Sequence, residues 1–535
     1  MIETVQIGGA APSQKSIPSV EEIGAKAANL AHVAALGIRV PPAFVLPVSL
    51  CGAIAGGDRQ VQRDLMDALT GGIGFLEQTT GKRFGDRRRP LLVSVRSGAA
   101  RSMPGMLSTV LNVGCTSAAT RGLIRMTGNP RFAWDCRRRF LEDYGETVLG
   151  LKPALFASTL DDIVGEDCAE SDRDLDCEAL ERVAEAYENV IAESAREADD
   201  DPMVQLAAAV QAVYASWAGD RARRYRSLEK LDYLPGTAVT IQAMVFGNRG
   251  AASGTGVAFS RNPSTGAREP MIDVLFDAQG EDVVSGRRTP ETEAEFARAM
   301  PDLVAELHVI LARLERAFAD VQDVEFTIED GSLWVLQTRA AKRTPRAALR
   351  IAVDLVREGL ISESEASRRL EGLNFAAFAI TRFAGQGEPI ARGIGAAAGV
   401  AAGRAAFDSQ AAERMAALGD SVVLMRPDIS TSDIAGIALS TGIVTAAGGR
   451  TAHAALVARQ KGKPCIVGCA ELKVDAPARR SQLAGKPIEE GDWISLDGDS
   501  GEIFLGRRSV VVEQPEAELA EVTGWRERAE SPQPV

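Results

Sequence analysis

The residue type best able to carry a covalent group here is a histidine with a particular surrounding. His453 lies in GIVTAAGGRTAHAALVARQKGKPCIVGC, residues 442–469. The apolar residues 442–444 predict a strand and Gly448-Gly449 a tight loop. Thr451 is expected to cap a helix that runs on through Ala454, Ala455, Leu456, Val457 and Ala458. That places His453 in a first helical turn, where free backbone N–H groups and the positive dipole end favour an anion. A phosphohistidine suits such a position better than an imidazolium does. Gly448 and Gly449 allow close backbone approach, and Arg450 and Thr451 can contact phosphoryl oxygens. The remaining histidines, His32 and His308, fall inside amphipathic helices and read as ordinary helix residues.

A second set lies in QDVEFTIEDGSLWVLQTRAAKRT, residues 322–344. Two strand patterns, 324–328 and 333–337, turn at Asp330-Gly331 and predict a hairpin. Asp323 and Glu325 alternate and so share a face. With Glu329-Asp330-Gly331 as a three-residue loop, Gln337 and Arg339 join them. Val324, Phe326, Ile328, Trp334 and Leu336 then make an apolar face. A two-residue turn would set Trp334 and Leu336 beside the acids, a poorer pattern. The polar face offers oxygen ligands for Mg²⁺ and a cation for phosphate; its bland alternative is a solvated sheet face. Lys26, in IGAKAANL, and Arg96, in SVRSGAARSMPG, stand near glycines at element edges. Arg101, Ser102 and Gly105 occupy a loop whose N–H groups could cradle an anion. Neither segment has the P-loop or dinucleotide glycine spacing.

The elements that must position these residues can be read coarsely. Residues 19–50 predict a helix ended by Gly37 and then a strand, and 91–95 a buried strand. Residues 115–230 read as mainly helical, with strands near 238–246, 256–260 and 271–276 and a helix over 291–318. Helices over 345–372 separate this block from a Gly-, Ala- and Val-rich α/β domain, 388–506. Residues 514–535 read as a short helix and a frayed end. The expected division is a nucleotide domain 1–344 with a helical insert at about 115–230, a linker 345–387, a histidine domain 388–506 and a tail 507–535.

The bulk properties limit the function. A chain of 535 residues with net charge −13 is expected to be multidomain and is not a general nucleic-acid binder. The absence of a long apolar run or signal-peptide pattern leads to the expectation of a cytoplasmic protein with no membrane partner. The seven cysteines are scattered and read as reduced thiols rather than a zinc site.

Five segments, in order, closely resemble the pyruvate phosphate dikinase and phosphoenolpyruvate synthase family. They are SVRSGAARSMPGMLSTVLNVG (94–114), TIQAMVFGNRGAASGTGVAFSRNPSTGA (240–267), DAQGEDVVSGRRTP (277–290), the hairpin segment and GGRTAHAALVARQKGKPCIVGC (448–469). The likeness covers roughly residues 19–506. It implies an ATP-grasp nucleotide domain with a helical insert and a swivelling β/α phosphohistidine domain, a multidomain α/β and α+β chain. It further implies that Lys26, Arg96, Asp323, Glu325, Gln337 and Arg339 hold ATP and Mg²⁺, the metal on Glu325 and Gln337. Arg101, Gly105 and the Glu281-Asp282 pair of the matching GED motif are expected nearby. His453 would take its phosphoryl group from the β position of ATP, leaving AMP, and pass it to a small acceptor. Thr451 matches a threonine that is regulatory in some dikinases. Dikinases usually carry Met before that threonine, whereas Arg450 is the residue found in the synthases, so either inorganic phosphate or water is expected to take the γ-phosphoryl group. The family continues into a C-terminal barrel for pyruvate or phosphoenolpyruvate. The sequence stops about 30 residues after the histidine domain, and the expectation is an acceptor site on a separate subunit. A stand-alone kinase for another small acceptor and a catalytically silent ATP-binding regulator are the competing readings.

Overall fold

A computed structural model describes residues 2–9, 17–55, 59–101, 103, 106–194, 196, 198–285, 288–373, 378–385, 387–429, 433–450 and 452–530. The chain packs as two units. One is Met1–Ala252 with Ile328–Asp330 and Trp334–Thr338; the other is Ser253–Thr327 with Gly331–Leu333 and Arg339–Val535. The segment expected as one nucleotide domain over 1–344 is therefore divided between them.

In the first unit the described residues build a five-stranded sheet. Its order is Val5–Ile7, Ala43–Leu46, Ala238–Ala243, Val93–Gly98, Thr109–Val113, antiparallel throughout. The second and third of these strands are buried at every position; the second is an unbroken apolar run, AFVL, while the third also buries Thr240 and Gln242. The described part of 115–230 is helical, as its periodicity predicts. Its helices start where side chains satisfy orphan N–H groups: Thr116 accepts from the amide of Ala119, Asn129 from Phe132 and Asp176 from Ala179. Phe132, Phe140, Tyr144, Phe156 and Tyr187 carry the apolar faces of this insert into one core with Val93, Val95, Val239 and Ile241 of the sheet.

The second unit contains strands Gly254–Phe259 and Met271–Phe276; strand Gln322–Glu329 continues through a turn into Ser332–Ala340, and this hairpin is divided between the units. Two sequence expectations fail here. The helix over 291–318 is two helices, Glu293–Ala299 and Pro301–Phe318. Pro301 lacks the N–H needed to continue the first one and forces Met300 out of helical geometry, to φ −143°. The hairpin turn is also tighter than the three-residue loop. Asp330 and Gly331 both have positive φ, 47° and 73°, the pair required by a two-residue type I′ turn. In consequence Leu333 and Val335, not Trp334 and Leu336, are the fully buried positions of the returning strand. Alternation then breaks, because Gln337 and Thr338 are buried in succession.

The Gly-, Ala- and Val-rich segment of this unit forms an eight-stranded sheet. Its centre is parallel, Val400–Ala406, Val422–Arg426, Gly442–Thr445 and Cys465–Val467. Its flanking strands, among them Ile394–Ala397 and Trp493–Asp497, pair antiparallel. The strands that enter and leave this sheet pair with each other: Ile380–Phe383 runs antiparallel to Val510–Glu513. The helix expected near the C-terminus is Glu516–Glu530, and it is packed. Val522 and Trp525 are buried with Leu349 and Val353 of the helix Pro345–Arg357 and with Leu370 and Phe378. Among the described residues no helix is long and apolar enough to cross a membrane.

Candidate active site

The candidate histidine, His453, opens a helix. His453–Lys461 is helical, and the cap position belongs to Ala452, which offers no side-chain acceptor. The expected cap, Thr451, lies outside the described residues, as does Gly105. The first-turn N–H groups at His453, Ala454 and Ala455 are thus not consumed by a side-chain cap from Ala452, which suits an anion. Ala454, Ala455 and Ala458 are buried and fix the helix on its own sheet.

The loop before this helix is held on the strand Met271–Phe276. Arg450 Nη1 lies 3.3 Å from Asp273 Oδ1. A Cβ on Gly449 would come within 2.5 Å of Pro290 and 3.0 Å of Asp273 Oδ2, so only glycine fits that approach. Burial pushes the Asp273 carboxyl up, and Arg450 pulls it part of the way back. Within the same unit Arg459, six residues after His453, is completely buried. Its Nη1 donates to the Ala396 carbonyl at 3.0 Å, and its guanidinium sits 5.3 Å from the centre of the Phe259 ring. Ser264 Oγ donates to the same Ala396 carbonyl at 2.9 Å. Burial pulls Arg459 down to about 10, with Asp323 the largest opposing influence.

The acidic hairpin supplies the other charges of this unit. Asp323 is 1% exposed, and its Oδ2 accepts from Arg339 Nε at 2.8 Å. Arg339 Nη2 stands 3.9 Å from Glu325 Oε1. Sequence reasoning brought these three together through the wrong turn; the break in alternation at Gln337 and Thr338 accompanies the arrangement. Burial pushes Asp323 up while Arg339 opposes it. Its Oδ1 has no hydrogen-bond partner among the described residues. Asp282 sits at the start of a short helix, Gly280–Ser285, and accepts from the amide of Gln279 at 2.9 Å. Glu281 lies in that helix, and its side chain is outside the described set.

In the first unit, two segments that looked weak in the sequence meet. Gly24 interrupts the helix Val20–Ala35 with φ 76°, and a Cβ there would fall 1.9 Å from the Gly98 carbonyl oxygen. Ala25 N donates to Ala99 O at 3.0 Å. This close approach sets Lys26 beside the strand Val93–Gly98 that bears Arg96; a Cβ on Gly98 would be 3.9 Å from Lys26 Cβ. Arg101 follows in the loop and is exposed. One turn beyond Lys26, Asn29 Nδ2 donates to the Thr338 carbonyl at 2.9 Å, which ties this helix to the residue after Gln337.

The donor set fits a hard cation. Glu325 offers carboxylate oxygens and Gln337 an amide oxygen, both hard ligand types. Mg²⁺ typically takes one or two protein carboxylates and fills its other positions with phosphate oxygens and water. Among the described residues no group of three or more His, Cys, Asp or Glu forms a protein-only metal cage. Two site residues were missed in the sequence. Asp273 is a lone acid in an apolar strand, and Arg459 reads as part of a basic, solvated helix end.

Comparison with known proteins identifies the family. Residues 57–300 and 291–359 match the family model of the pyruvate phosphate dikinase AMP/ATP-binding domain, and residues 418–501 that of the PEP-utilising enzyme mobile domain. The pyruvate, phosphate dikinase of Clostridium symbiosum is 42% identical over 490 residues, which cover 90% of this chain and 56% of that protein. The chloroplastic enzyme of Flaveria pringlei is 40% identical over 511 residues, covering 95% and 53%. That of Rhizobium meliloti is 39% identical over 540 residues, covering 98% and 60%. The chain thus spans just over half the length of these curated relatives.

Proposed function

The chain belongs to the pyruvate phosphate dikinase family, and from that premise we propose that it is an ATP-dependent phosphotransferase with His453 as its phosphoryl carrier. Lys26, Arg96, Gln337 and Arg339 bind the nucleotide phosphates, with Arg101, Gly105, Glu281 and Asp282 around them. Glu325 and Gln337 hold Mg²⁺, and Asp323 orients Arg339. When bound, the metal neutralises charge on the phosphate oxygens. A neutral nitrogen of His453 attacks the β-phosphorus in line, the bond from that phosphorus to the α–β bridging oxygen breaks, and AMP leaves. The γ-phosphoryl group goes to inorganic phosphate or to water. The group on His453 then passes to a small acceptor, for which pyruvate is the reading suggested by the relatives' names. The acceptor's own site is assigned to a partner subunit, and the protein to the cytoplasm.

The observation that supports this reading best is the helix that begins at His453, with its preceding loop tied through Arg450 to Asp273 in the same unit as the Asp323–Arg339 pair. Phosphoryl transfer is mainly positioning and charge neutralisation, and these are the groups able to do both. The test is incubation with Mg²⁺ and ATP followed by mass mapping. One acid-labile, base-stable phosphoryl group on His453, lost in His453→Ala with nucleotide binding retained, is the expected result. A modification of equal extent in that variant would refute the assignment.

A further inference from the structure

The buried arginine of the carrier helix has no part in the family reading above. Arg459 is 0% exposed, yet among the described residues only Nη1 of its three guanidinium nitrogens has a hydrogen bond, to Ala396. Nε and Nη2 have none among the described residues, and neither have Asp323 Oδ1 and Asp273 Oδ2. Phe259, beneath the guanidinium, lies on the strand Gly254–Phe259, and Asp273 lies on the neighbouring strand, opposite Val257. Each carboxylate is held on one oxygen by a different arginine, Asp323 by Arg339 and Asp273 by Arg450. Arg459 is the third cation, within electrostatic reach of both.

An arginine is rarely buried without its charge being used. This one is anchored on its own domain by Ala396, while its ring partner and both acidic neighbours belong to the nucleotide segment. Its surroundings therefore depend on the carrier domain being seated on those strands. We propose, building on the phosphohistidine reading, that Arg459 is a positioning residue carried in by the phosphohistidine domain: seating it over Phe259 completes the charge balance around the Asp323–Arg339 pair, so that the nucleotide site reaches its transfer arrangement only with the domain in place. ATP would then bind with the carrier domain either seated or away, while transfer to His453 requires Arg459. Such an arrangement would protect bound ATP from reaction with water before the histidine arrives.

The experiment is single-turnover labelling of His453 by ATP in the full chain, with nucleotide Kd measured in parallel. For Arg459→Met the labelling rate is expected to fall about 100-fold or more, with Kd changed by less than about threefold. Arg459→Lys keeps charge but loses the planar fork and should fall about 10-fold. Added guanidinium should restore part of the rate of Arg459→Ala, a response that a purely structural role would not give. Should the Met and Ala variants fail to fold, Arg459→Lys and Phe259→Leu carry the test, the latter expected to slow labelling several-fold at unchanged Kd. A parent that labels while Arg459→Lys and Phe259→Leu label equally fast would overturn the role of Arg459 alone. A parent that never labels would overturn the phosphohistidine reading together with this one.

Discussion

Arg339 donates through Nε to Asp323 Oδ2 at 2.8 Å, from a half-buried position onto a carboxylate that is 1% exposed. The geometry separates two acids that look equivalent in the sequence. Asp323 accepts directly from that guanidinium, whereas Glu325 stands 3.9 Å from it. Asp323→Asn should therefore leave nucleotide binding largely intact and lower the rate of His453 labelling by about 10². Glu325→Gln should instead raise the Mg²⁺ concentration needed for half-maximal labelling. Rapid-quench labelling over a Mg²⁺ series separates the two, and an identical metal dependence for both variants would contradict the division of roles.

The link between Arg450 and Asp273 should behave as a pair. Either Arg450→Asp or Asp273→Arg alone sets like charges against each other. The two together restore opposite charges in a buried setting. The double variant should recover part of the labelling rate lost in each single one, with a coupling of about 0.5–3 kcal/mol in a double-mutant cycle. Additive losses would show that the two side chains do not work through each other.

Acid stability should depend on Asp135. Its buried carboxylate accepts from Arg138 Nε at 2.8 Å, Arg139 Nε at 3.1 Å and Asn248 Nδ2 at 2.7 Å. Burial alone would raise its pKa; Arg139 and Arg138 more than offset that and hold it well below the usual carboxylate range. The folded state thus binds fewer protons than the unfolded one. The stabilisation is complete above the ordinary aspartate pKa of about 4 and is lost as pH falls toward the folded value. Asp135→Asn should cost about 3–5 kcal/mol near neutrality, and its Tm deficit should narrow below roughly pH 4. A deficit unchanged across that range would contradict this balance.

Thiol reactivity offers a check on the packing. Cys168 is exposed and Cys177 partly so, whereas Cys51, Cys115, Cys136, Cys465 and Cys469 are buried. Burial pushes Cys115 up to about 11 and Cys465 up to about 12. A disulfide reagent at neutral pH should modify Cys168, and Cys177 more slowly, before denaturant releases the rest. Rapid modification of Cys465 in the native protein would contradict the burial of the central strands of the eight-stranded sheet.

Much of the fold could be read in the sequence because the signals were local. Apolar periodicity gave the helical insert, and Asp330-Gly331 gave the hairpin. What could not be read depended on packing. Asp-Gly satisfies a two-residue turn and a three-residue loop alike, and burial of Leu333 and Val335 decided between them. Residues 516–530 contain Val522 and Trp525, but nothing local shows that the linker helices will cover them. Arg459 has the sequence surroundings of a solvated helix end, and packing that includes Phe259 and Ala396 removes it from water. The candidate residues Lys26 and Arg96 were visible; the Gly24–Gly98 approach that sets their segments together was not.

The central claim is that this chain moves the β-phosphoryl group of ATP to His453. The most direct measurement compares ATP labelled at the β or the γ position in a single turnover with Mg²⁺, with and without phosphate, following both His453 and the released nucleotide. The account predicts that β label is retained on His453, that γ label is released as pyrophosphate or phosphate, and that AMP forms in amounts equal to the modified histidine. Stoichiometric ADP with γ label on His453 would contradict it.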